Sequence, residues 1–344
     1  MLKQELGCVI WPTFAHEMNL NYSSFFKITS SEEFEKTAIE VFKFQSAHSP
    51  VYHRFVKLLK IDPSNVNSIS QIPFLPISFF KTEKIIRSSQ SEEIVFTSSG
   101  TTGTEQSKHF VSDTKLYTDS FHFGFRHFYG SPSNYTFLAL LPGYLDRSGS
   151  SLIFMMNELF RLSGRSESGF YLKEHDKLSE IINDLEAKKR KTILVGVSFA
   201  LLDFIEKYPF NLKHTIVMET GGMKGKRKEL VREELHELLK KGFGVNRIHS
   251  EYGMTELLSQ AYSSGEGRFF CPPWMKVTIR DTEDPLSLLP YGKSGGINVI
   301  DLANLNSCSF IATQDLGKIY EDGSFEVLGR FDHSDIRGCN LMVL

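Results

Sequence analysis

A run of small polar residues follows a short apolar segment near residue 97. It comprises Ser98, Ser99, Gly100, Thr101, Thr102 and Gly103. Glycines let the backbone approach an anion closely, and hydroxyl and N–H groups then surround phosphate oxygens. Lys108 follows shortly afterwards and supplies a positive charge that reaches a phosphate. No Gly-Lys-Ser/Thr follows, which excludes a Walker A loop. The loop indicates a phosphate site, although a polar turn has the same composition.

A second group of chemically useful side chains spans residues 252–256. Tyr252 precedes Gly253, so its ring can offer an exposed face to a nucleotide base. Thr255 can donate to a phosphate oxygen, and Glu256 offers the hard oxygen ligands that Mg²⁺ prefers. A loop with an incidental glutamate has the same letters, so the segment gains weight only in combination with the others.

The third group lies in the C-terminal part of the sequence. Asp315 stands in Thr-Gln-Asp-Leu-Gly, Arg330 follows Gly329, and Cys339 follows Arg337-Gly338. A carboxylate and an arginine near one site can bracket a ribose, because the first accepts and the second donates hydrogen bonds. A surface turn with a salt bridge is the alternative interpretation. The order of all three groups along the chain favours a common nucleotide site.

Strands and helices alternate along the middle of the chain, where they would position these residues. Strands are predicted at 94–96, 135–141, 192–197 and 215–218, and helices at 30–46, 113–129, 148–162, 199–208 and 226–241. This alternation is typical of an α/β domain with largely parallel strands. From residue 295 the pattern is β-rich, with a hairpin at Asp322-Gly323. We expect an α/β core over 1–290 and a small β-rich subdomain of the same large domain over 291–344.

Composition excludes several classes of function. The 344 residues carry a net charge of −2 and 41% hydrophobic side chains, which indicates neither a nucleic-acid partner nor an anionic membrane partner. No apolar stretch approaches the length of a spanning helix, so no membrane span is expected. The four cysteines form no CxxC motif and no disulfide framework. A reducing, cytoplasmic location is therefore expected.

In order along the chain, these motifs resemble those of the adenylate-forming superfamily, which includes acyl-CoA synthetases and luciferases. The matching segments are residues 98–103, 252–256, Asp315 and Gly329-Arg330. Within that superfamily the chain is most similar to the LuxE-type acyl-protein synthetases of fatty-acid reductase systems. Segments 72–76, 96–103 with Lys108, 141–144 and 337–339 carry this closer resemblance. It implies the large-domain architecture of these enzymes, with layered mixed sheets and helices.

The resemblance implies a role for each matching residue. The nucleotide would contact Ser98, Ser99, Gly100, Thr101, Thr102 and Gly103 through its phosphates, Tyr252, Gly253, Gly221 and Gly222 through adenine, and Asp315 and Arg330 through ribose. Thr255 would contact the α-phosphate, Glu256 would bind Mg²⁺, and Ser198 and Phe199 would flank an acyl pocket. ATP and Mg²⁺ are the implied cofactors. The implied activity is activation of a carboxylic acid, specifically a long-chain fatty acid.

The sequence departs from the superfamily pattern in two places. Superfamily members carry a small C-terminal domain whose lysine serves adenylation, and this domain is expected to be absent because the sequence ends at Leu344. Lys108 or a partner subunit is the expected substitute. The segment 329–338 is also one residue shorter than the usual superfamily form. A CoA-ligase mechanism based on domain rotation is therefore not expected.

Cys339 is the candidate acyl acceptor. LuxE-type enzymes carry the acyl group on a cysteine near the C-terminus, and Cys339 follows an arginine and a glycine. A neighbouring cation lowers the pKa of a thiol, which favours the nucleophilic thiolate. The acyl group would then pass to an acceptor such as a partner reductase. A small buried residue is the alternative interpretation of Cys339, and we interpret Cys8, Cys271 and Cys308 as structural.

Three other functions remain open. Gly196-Val197-Ser198-Phe199-Ala200 approximates the nucleophile elbow of serine hydrolases, but alanine replaces the last glycine. A non-catalytic nucleotide-binding subunit would explain the missing lysine domain. A CoA ligase for an aryl or fatty acid would use the same adenylation motifs and release a diffusible thioester.

Overall fold

The computed structural model describes residues 21–98, 105–142, 149–221 and 230–331. The helices of these ranges are α1 Ser31–His48, α2 Pro50–Leu58, α3 Phe79–Thr82, α4 Thr114–Tyr129, α5 Ser151–Ser163, α6 His175–Ala187, α7 Ser198–Lys207 and α8 Arg232–Phe243. Ser30 caps α1 by accepting a hydrogen bond from the Glu33 N–H at 3.2 Å, and the Glu33 carboxylate accepts one from the Thr29 N–H at 2.8 Å. Paired side-chain and backbone caps of this kind satisfy the free N–H groups of the first helical turn.

The strands of the described ranges form three sheets. They are β1 Leu75–Pro76, β2 Ile94–Thr97, β3 Lys108–Val111, β4 Thr136–Leu140, β5 Gly169–Phe170, β6 Thr192–Val197, β7 Thr215–Thr220, β8 His249–Tyr252, β9 Ala261–Ser263, β10 Met275–Arg280, β11 Ser294–Asp301, β12 Phe310–Ile319 and β13 Phe325–Arg330. The four strands predicted in the alternating region are confirmed as β2, β4, β6 and β7. The helix predicted to begin at residue 226 instead begins at Arg232, and residues 226–229 lie outside the described ranges.

A six-stranded sheet with the order β5-β4-β6-β7-β8-β9 forms the centre of the α/β region. Its strands are parallel except for β9, which runs antiparallel to β8. β4 and β6 are buried at every position, because helices cover both faces of a parallel sheet. The carboxyl ends of β6, β7 and β8 therefore lie side by side at one edge, where ligands bind in open α/β sheets.

A five-stranded sheet contains the C-terminal strands. β12 pairs with β11 and β13 in antiparallel fashion, and its first half also pairs with β1 in parallel fashion. The hairpin predicted at Asp322-Gly323 is confirmed, with Gly323 at φ +80° in the turn and Ile319 opposite Phe325. Two strands of this sheet, β1 and β10, come from before residue 290, which was predicted to divide the core from the β-rich subdomain. Among the described residues, no helix combines the length and apolarity that crossing a bilayer requires.

Candidate active site

Three predicted site residues lie at the carboxyl edge of the parallel sheet. Ser198 begins α7 directly after β6, Gly221 follows β7, and Tyr252 is the last residue of β8. Parallel pairing of neighbouring strands places Thr220 beside Glu251 at this edge. The topology thus brings together positions that are far apart in the chain, as the alternation of strands and helices predicts.

Asp315 and Arg330 come to this edge from the antiparallel sheet. The Tyr252 hydroxyl donates to Asp315 Oδ2 at 2.8 Å, and Arg330 Nε lies 3.3 Å from Asp315 Oδ1. Burial raises the pKa of Asp315, and the charges of Arg330 and Arg280 together with the Tyr252 hydrogen bond oppose that rise only in part. The carboxylate still has free lone pairs, because four acceptor sites serve two donors here. It can therefore accept hydrogen bonds from vicinal hydroxyl groups.

Tyr252 itself is largely enclosed. Only 8% of its surface is exposed, and its ring packs edge-on against Phe269 and Phe325 at 5.9 and 5.4 Å between centroids. Phe269 and Phe325 also exchange backbone hydrogen bonds. The ring was predicted to offer an exposed face to adenine; instead it is enclosed by an aromatic cluster at the junction of the two sheets, because Phe269 and Phe325 pack against it.

Glu256 is a buried carboxylate next to the phosphate-loop hairpin. Its side chain is hydrogen-bonded to Ser107, and 5% of the residue is exposed. Burial raises the pKa of Glu256, an effect that this hydrogen bond and the more distant charge of Arg330 only reduce. Ser98 and Ser107 join across the base of the loop, since the Ser107 N–H donates to Ser98 Oγ at 3.0 Å. Glu256 and the base of the predicted phosphate loop therefore form one site.

His109 fixes the hairpin to the segment that carries Thr255. Its Nδ1 lies 2.9 Å from the Thr255 carbonyl oxygen, and its Nε2 lies 3.0 Å from Ser307 Oγ. Burial lowers the pKa of His109 to about 4, so the ring is neutral at pH 7. A neutral ring donates from Nδ1 to the carbonyl and accepts from the serine hydroxyl at Nε2. Asn304 adds a second tie, donating to the Glu256 carbonyl oxygen at 2.8 Å.

Gly253 is required by its neighbour Glu251. A Cβ atom at residue 253 would lie 2.4 Å from Glu251 Oε1, which is closer than non-bonded atoms approach. The Glu251 carboxyl group accepts a hydrogen bond from the Thr220 hydroxyl. Burial raises the pKa of Glu251 to about 7. The glycine between Tyr252 and Thr255 thus makes room for a carboxyl group that the sequence analysis did not single out.

Lys108 lies exposed at the start of β3, opposite Thr97 in the hairpin. Lys108 thus lies in the strand that follows the predicted phosphate loop, next to the loop's first described residue, Ser98. Several other predicted site residues lie outside the described ranges: Ser99, Gly100, Thr101, Thr102, Gly103, Gly222 and Cys339. Their proposed roles stay predictions.

The Ser198 hydroxyl is hydrogen-bonded within the protein. Its hydroxyl is buried and lies 3.0 Å from the Gly221 carbonyl oxygen and 3.4 Å from Glu219 Oε2. Among the described hydrogen bonds, none joins Ser198 to a histidine, so the geometry does not support a hydrolase nucleophile.

Phe199 is partly buried against the core. An apolar cavity of about 10 Å³ lies between α5 and the sheet, and neither Ser198 nor Phe199 is among its lining residues. Its lining includes Met155, Met156, Met218 and Glu251.

Both cysteines within the described ranges, Cys271 and Cys308, are free thiols with raised pKa values. Burial raises the pKa of the Cys271 thiol and of the Cys308 thiol to about 12. At pH 7 both remain protonated, and the thiol is a poor nucleophile compared with the thiolate. This agrees with the structural role predicted for them.

We compared the chain with known protein families, sequences and structures. A comparison with protein-family models finds no match. The long-chain-fatty-acid–luciferin-component ligase of Photorhabdus luminescens is 34% identical over 70 residues, which are 20% of this chain and 60% of that protein. ATP-bound MatB from Rhodopseudomonas palustris matches 69% of this chain and 47% of its own, with 20% identity and a TM-score of 0.52. 2-Hydroxyisobutyryl-CoA ligase in complex with 2-HIB-AMP and CoA covers 89% of this chain and 72% of its own, with 11% identity and a TM-score of 0.65. The fold is that of adenylate-forming ligases.

The predicted resemblance and the predicted fold class are therefore both confirmed. The chain spans about half the length of MatB, 47%, and 60% of the curated relative lies in the matched segment. In the adenylate-forming fold of this chain, residues from both sheets and from the hairpin meet at one edge.

Besides Glu251, three residues around this site were not predicted from the sequence. Ser107 and His109 flank Lys108, and Arg280 donates to the carbonyl oxygens of Ile297 and Thr313 at 2.7 and 2.6 Å while its charge acts on Asp315. A single serine, histidine or arginine within a strand pattern has no motif around it. Only the tertiary pairing shows that these side chains belong to the site.

The residues present fit a magnesium nucleotide. Glu256 and Ser107 provide the oxygen ligands that Mg²⁺ prefers, and the raised pKa of Glu256 shows that burial of its charge lacks full compensation. A bound divalent cation would supply that compensation. Among the described residues, no group of three or more His, Cys, Asp or Glu side chains forms a metal site. Phosphate oxygens and water would therefore have to complete the coordination.

Proposed function

We propose that this protein activates a carboxylic acid with ATP, forms an acyl adenylate and transfers the acyl group to a thiol. One observation carries the proposal: Tyr252, Asp315 and Arg330 join through bonds of 2.8 and 3.3 Å, and Glu256 lies within the same electrostatic cluster. These four positions span residues 252–330 and two different sheets. Their convergence at the carboxyl edge of the parallel sheet matches the requirements of a nucleotide site.

The chain's own residues have distinct tasks in this reaction. Asp315 would accept hydrogen bonds from the ribose hydroxyls, and Arg330, whose side chain is 71% exposed, would remain free to turn toward the nucleotide. Thr255 is held at its carbonyl oxygen by His109, which leaves its hydroxyl to address the α-phosphate. Glu256 and Ser107 would hold Mg²⁺, which supplies positive charge to the phosphates when bound.

Charge is the central problem of the first step. The substrate carboxylate attacks the α-phosphorus, the P–O bond to the β-phosphate breaks, and pyrophosphate leaves. Both reactants are anions, so oriented donors and cations must offset their repulsion. Arg330 and Lys108 are the cationic side chains of the described ranges that we assign to this task, together with the predicted loop of residues 98–103.

The acid and the thiol follow from the sequence resemblance. A curated protein that matches part of this chain is called a long-chain-fatty-acid ligase, which favours a long-chain fatty acid here. We assign the thiol to Cys339. The thiolate attacks the acyl carbonyl carbon, a thioester forms, and AMP leaves. Cys271 and Cys308 are poor candidates because burial raises the pKa of each thiol to about 12. An acceptor protein, such as a reductase, would then take the acyl group.

The test follows both steps with the intact protein. Exchange of labelled pyrophosphate into ATP is measured with Mg²⁺ and a panel of fatty and aryl acids, and acyl adducts are then identified by peptide mass spectrometry. We expect acid-dependent exchange and an adduct on the Cys339 peptide that hydroxylamine removes. Cys339→Ala should abolish the adduct and keep the exchange, whereas the matched variant Cys308→Ala should keep both.

Other outcomes would replace parts of the proposal. Exchange without an adduct, followed by thioester formation when CoA is added, would identify a CoA ligase. ATP binding without exchange for any acid would identify a nucleotide-binding subunit. Absence of ATP binding would overturn the proposed function.

A further inference from the structure

Glu219 forms the hub of a buried polar network beneath the candidate site. It lies near the end of β7 with 4% of its surface exposed. Arg232 Nη1 lies 2.5 Å from Glu219 Oε1, and His236 Nε2 lies 3.6 Å from the same oxygen. Burial opposes ionisation, but the His236 hydrogen bond and the Arg232 charge outweigh it and lower the pKa of Glu219. None of these side chains has a role in the proposed reaction.

One arm of the network reaches Gly221, which was predicted to contact adenine. The Ser198 hydroxyl donates its one proton to the Gly221 carbonyl oxygen at 3.0 Å, and Glu219 Oε2 lies farther from the same hydroxyl, at 3.4 Å. Glu219 itself stands two residues before Gly221, near the end of β7. Gly221 therefore takes its position from the Ser198 hydrogen bond and, along the backbone, from the ion pair of Glu219 with Arg232.

The other arm reaches Tyr252. The Arg232 guanidinium lies 5.0 Å above the centre of the Phe269 ring, and Phe269 packs edge-on against Tyr252 at 5.9 Å. A Cβ at Gly267 would lie 2.9 Å from Arg232 Cδ, so glycine makes room for the arginine. Cation–π geometry and a charge-assisted hydrogen bond together hold a guanidinium in one orientation. One arginine thus contacts both arms.

We propose that Arg232 and Glu219 act as positioning residues that hold the Gly221 backbone and the Tyr252 ring at a fixed separation, and that this separation sets the affinity for ATP. The inference rests on the proposed function, since the sequence resemblance assigns Gly221 and Tyr252 to the adenine of the ATP that this function requires. On this proposal, an ion pair outside the nucleotide site determines how well adenine fits. The chemical step would depend on it only weakly.

The test separates binding from chemistry. The dissociation constant of ATP is measured by calorimetry, and kcat and KM for ATP by pyrophosphate exchange, for wild type and Arg232→Met. We expect the dissociation constant and KM to rise about tenfold and kcat to change less than about twofold. Arg232→Lys keeps the charge but loses the planar contact with Phe269, so it should give an intermediate KM. Lys240→Gln, which breaks an exposed ion pair with Glu237 on the same helix, is the matched control and should behave as wild type.

A double variant distinguishes positioning from mere stability. Glu219→Gln with Arg232→Met removes both charges, so the melting temperature should recover relative to either single variant. If the pair positions Gly221 and Tyr252, KM for ATP stays raised in the double variant. Recovery of KM together with the melting temperature would overturn the inference, as would an unchanged KM in Arg232→Met. Wild-type protein that does not bind ATP would overturn the proposed function and this inference with it, whereas normal wild-type binding with unaffected variants would overturn this inference alone.

Discussion

Two glutamates on neighbouring strands show how the two faces of the central sheet differ. Glu219 on β7 faces α8, where Arg232 and His236 contact its carboxylate, and its pKa is lowered. Glu251 on β8 faces the apolar cavity beside α5, where it accepts a hydrogen bond from Thr220, and burial raises its pKa to about 7. Glu219 pairs with Ser250, whereas Glu251 pairs with Thr220. The two glutamates are therefore one residue out of register, and because successive side chains of a strand alternate between faces, they point to opposite faces of the sheet.

The difference shows that a buried carboxylate behaves according to whether a neighbouring positive charge offsets the cost of its burial. Glu219 has a cation and contributes to the arrangement of the fold. Asp315 and Glu256 are also buried, but their positive neighbours only partly offset burial, and the pKa of each is raised. A carboxylate without full compensation is costly to the folded protein and favourable to a bound cation or hydroxyl donor. This is the pattern expected where stability is given up for binding.

Removing the carboxylate of Glu219, whose charge is offset by Arg232, should have the largest effect on stability. Glu219→Gln leaves the Arg232 guanidinium, which is 26% exposed, without its carboxylate. We expect a loss of about 3 kcal/mol in the free energy of unfolding, measured by urea denaturation at pH 7. Lys188→Gln, which removes an exposed helical ion pair with Asp184, is the control and should change stability by less than about 0.5 kcal/mol. Equal effects of the two variants would contradict the comparison.

Removing the charge of Asp315, whose burial is only partly offset, should affect activity rather than stability. Asp315→Asn keeps the shape of the side chain but loses the charge that Arg330 and the ribose hydroxyls are expected to meet. We expect pyrophosphate exchange to fall about 100-fold, equivalent to about 2.7 kcal/mol, with the melting temperature unchanged or raised. A melting temperature that falls as far as in Glu219→Gln would show that Asp315 is a structural carboxylate.

The pH dependence of Glu251 sharpens the comparison further. Its folded pKa of about 7 lies above its ordinary value of 4.5, so the folded state binds more protons than the unfolded state between these values. Ionisation therefore removes stability as pH rises through this window. Glu251→Gln should equal wild type near pH 4 and exceed it by about 2 kcal/mol at pH 6, in urea denaturation at both pH values. A constant difference across the range would contradict the assignment.

The smallest expected effect concerns the hydrogen bond between the two sheets. Tyr252→Phe removes the hydroxyl that donates to Asp315 at 2.8 Å but keeps the ring among Phe269 and Phe325. We expect KM for ATP to rise about fivefold, equivalent to roughly 1 kcal/mol, with little change in melting temperature. Tyr262→Phe, in the same region but without a role in the site, should leave KM unchanged.

Local sequence patterns predicted the helices and strands better than they predicted the contacts between side chains. The strand at residues 192–197 is β6 with those bounds, because an uninterrupted apolar run between polar residues fits a strand buried on both faces. Helix α6, His175–Ala187, was missed although Leu178, Ile182 and Leu185 lie on one buried face. Its first turn lacks a side-chain cap, so the acidic Asp176 is the start signal that remained and it was not recognised.

The sequence by itself determined which motifs the chain carries and in which order. Through the resemblance to the adenylate-forming superfamily, the order of Ser98, Tyr252, Glu256, Asp315 and Arg330 predicts an adenylating enzyme. The tertiary structure alone decided which of the buried carboxylates carry a compensating charge. Glu219 and Glu251 have the same side chain and each lies two residues before a glycine, and their pKa values shift in opposite directions. Ionisation depends on charges and solvent within a few ångströms, and those neighbours come from other helices and sheets.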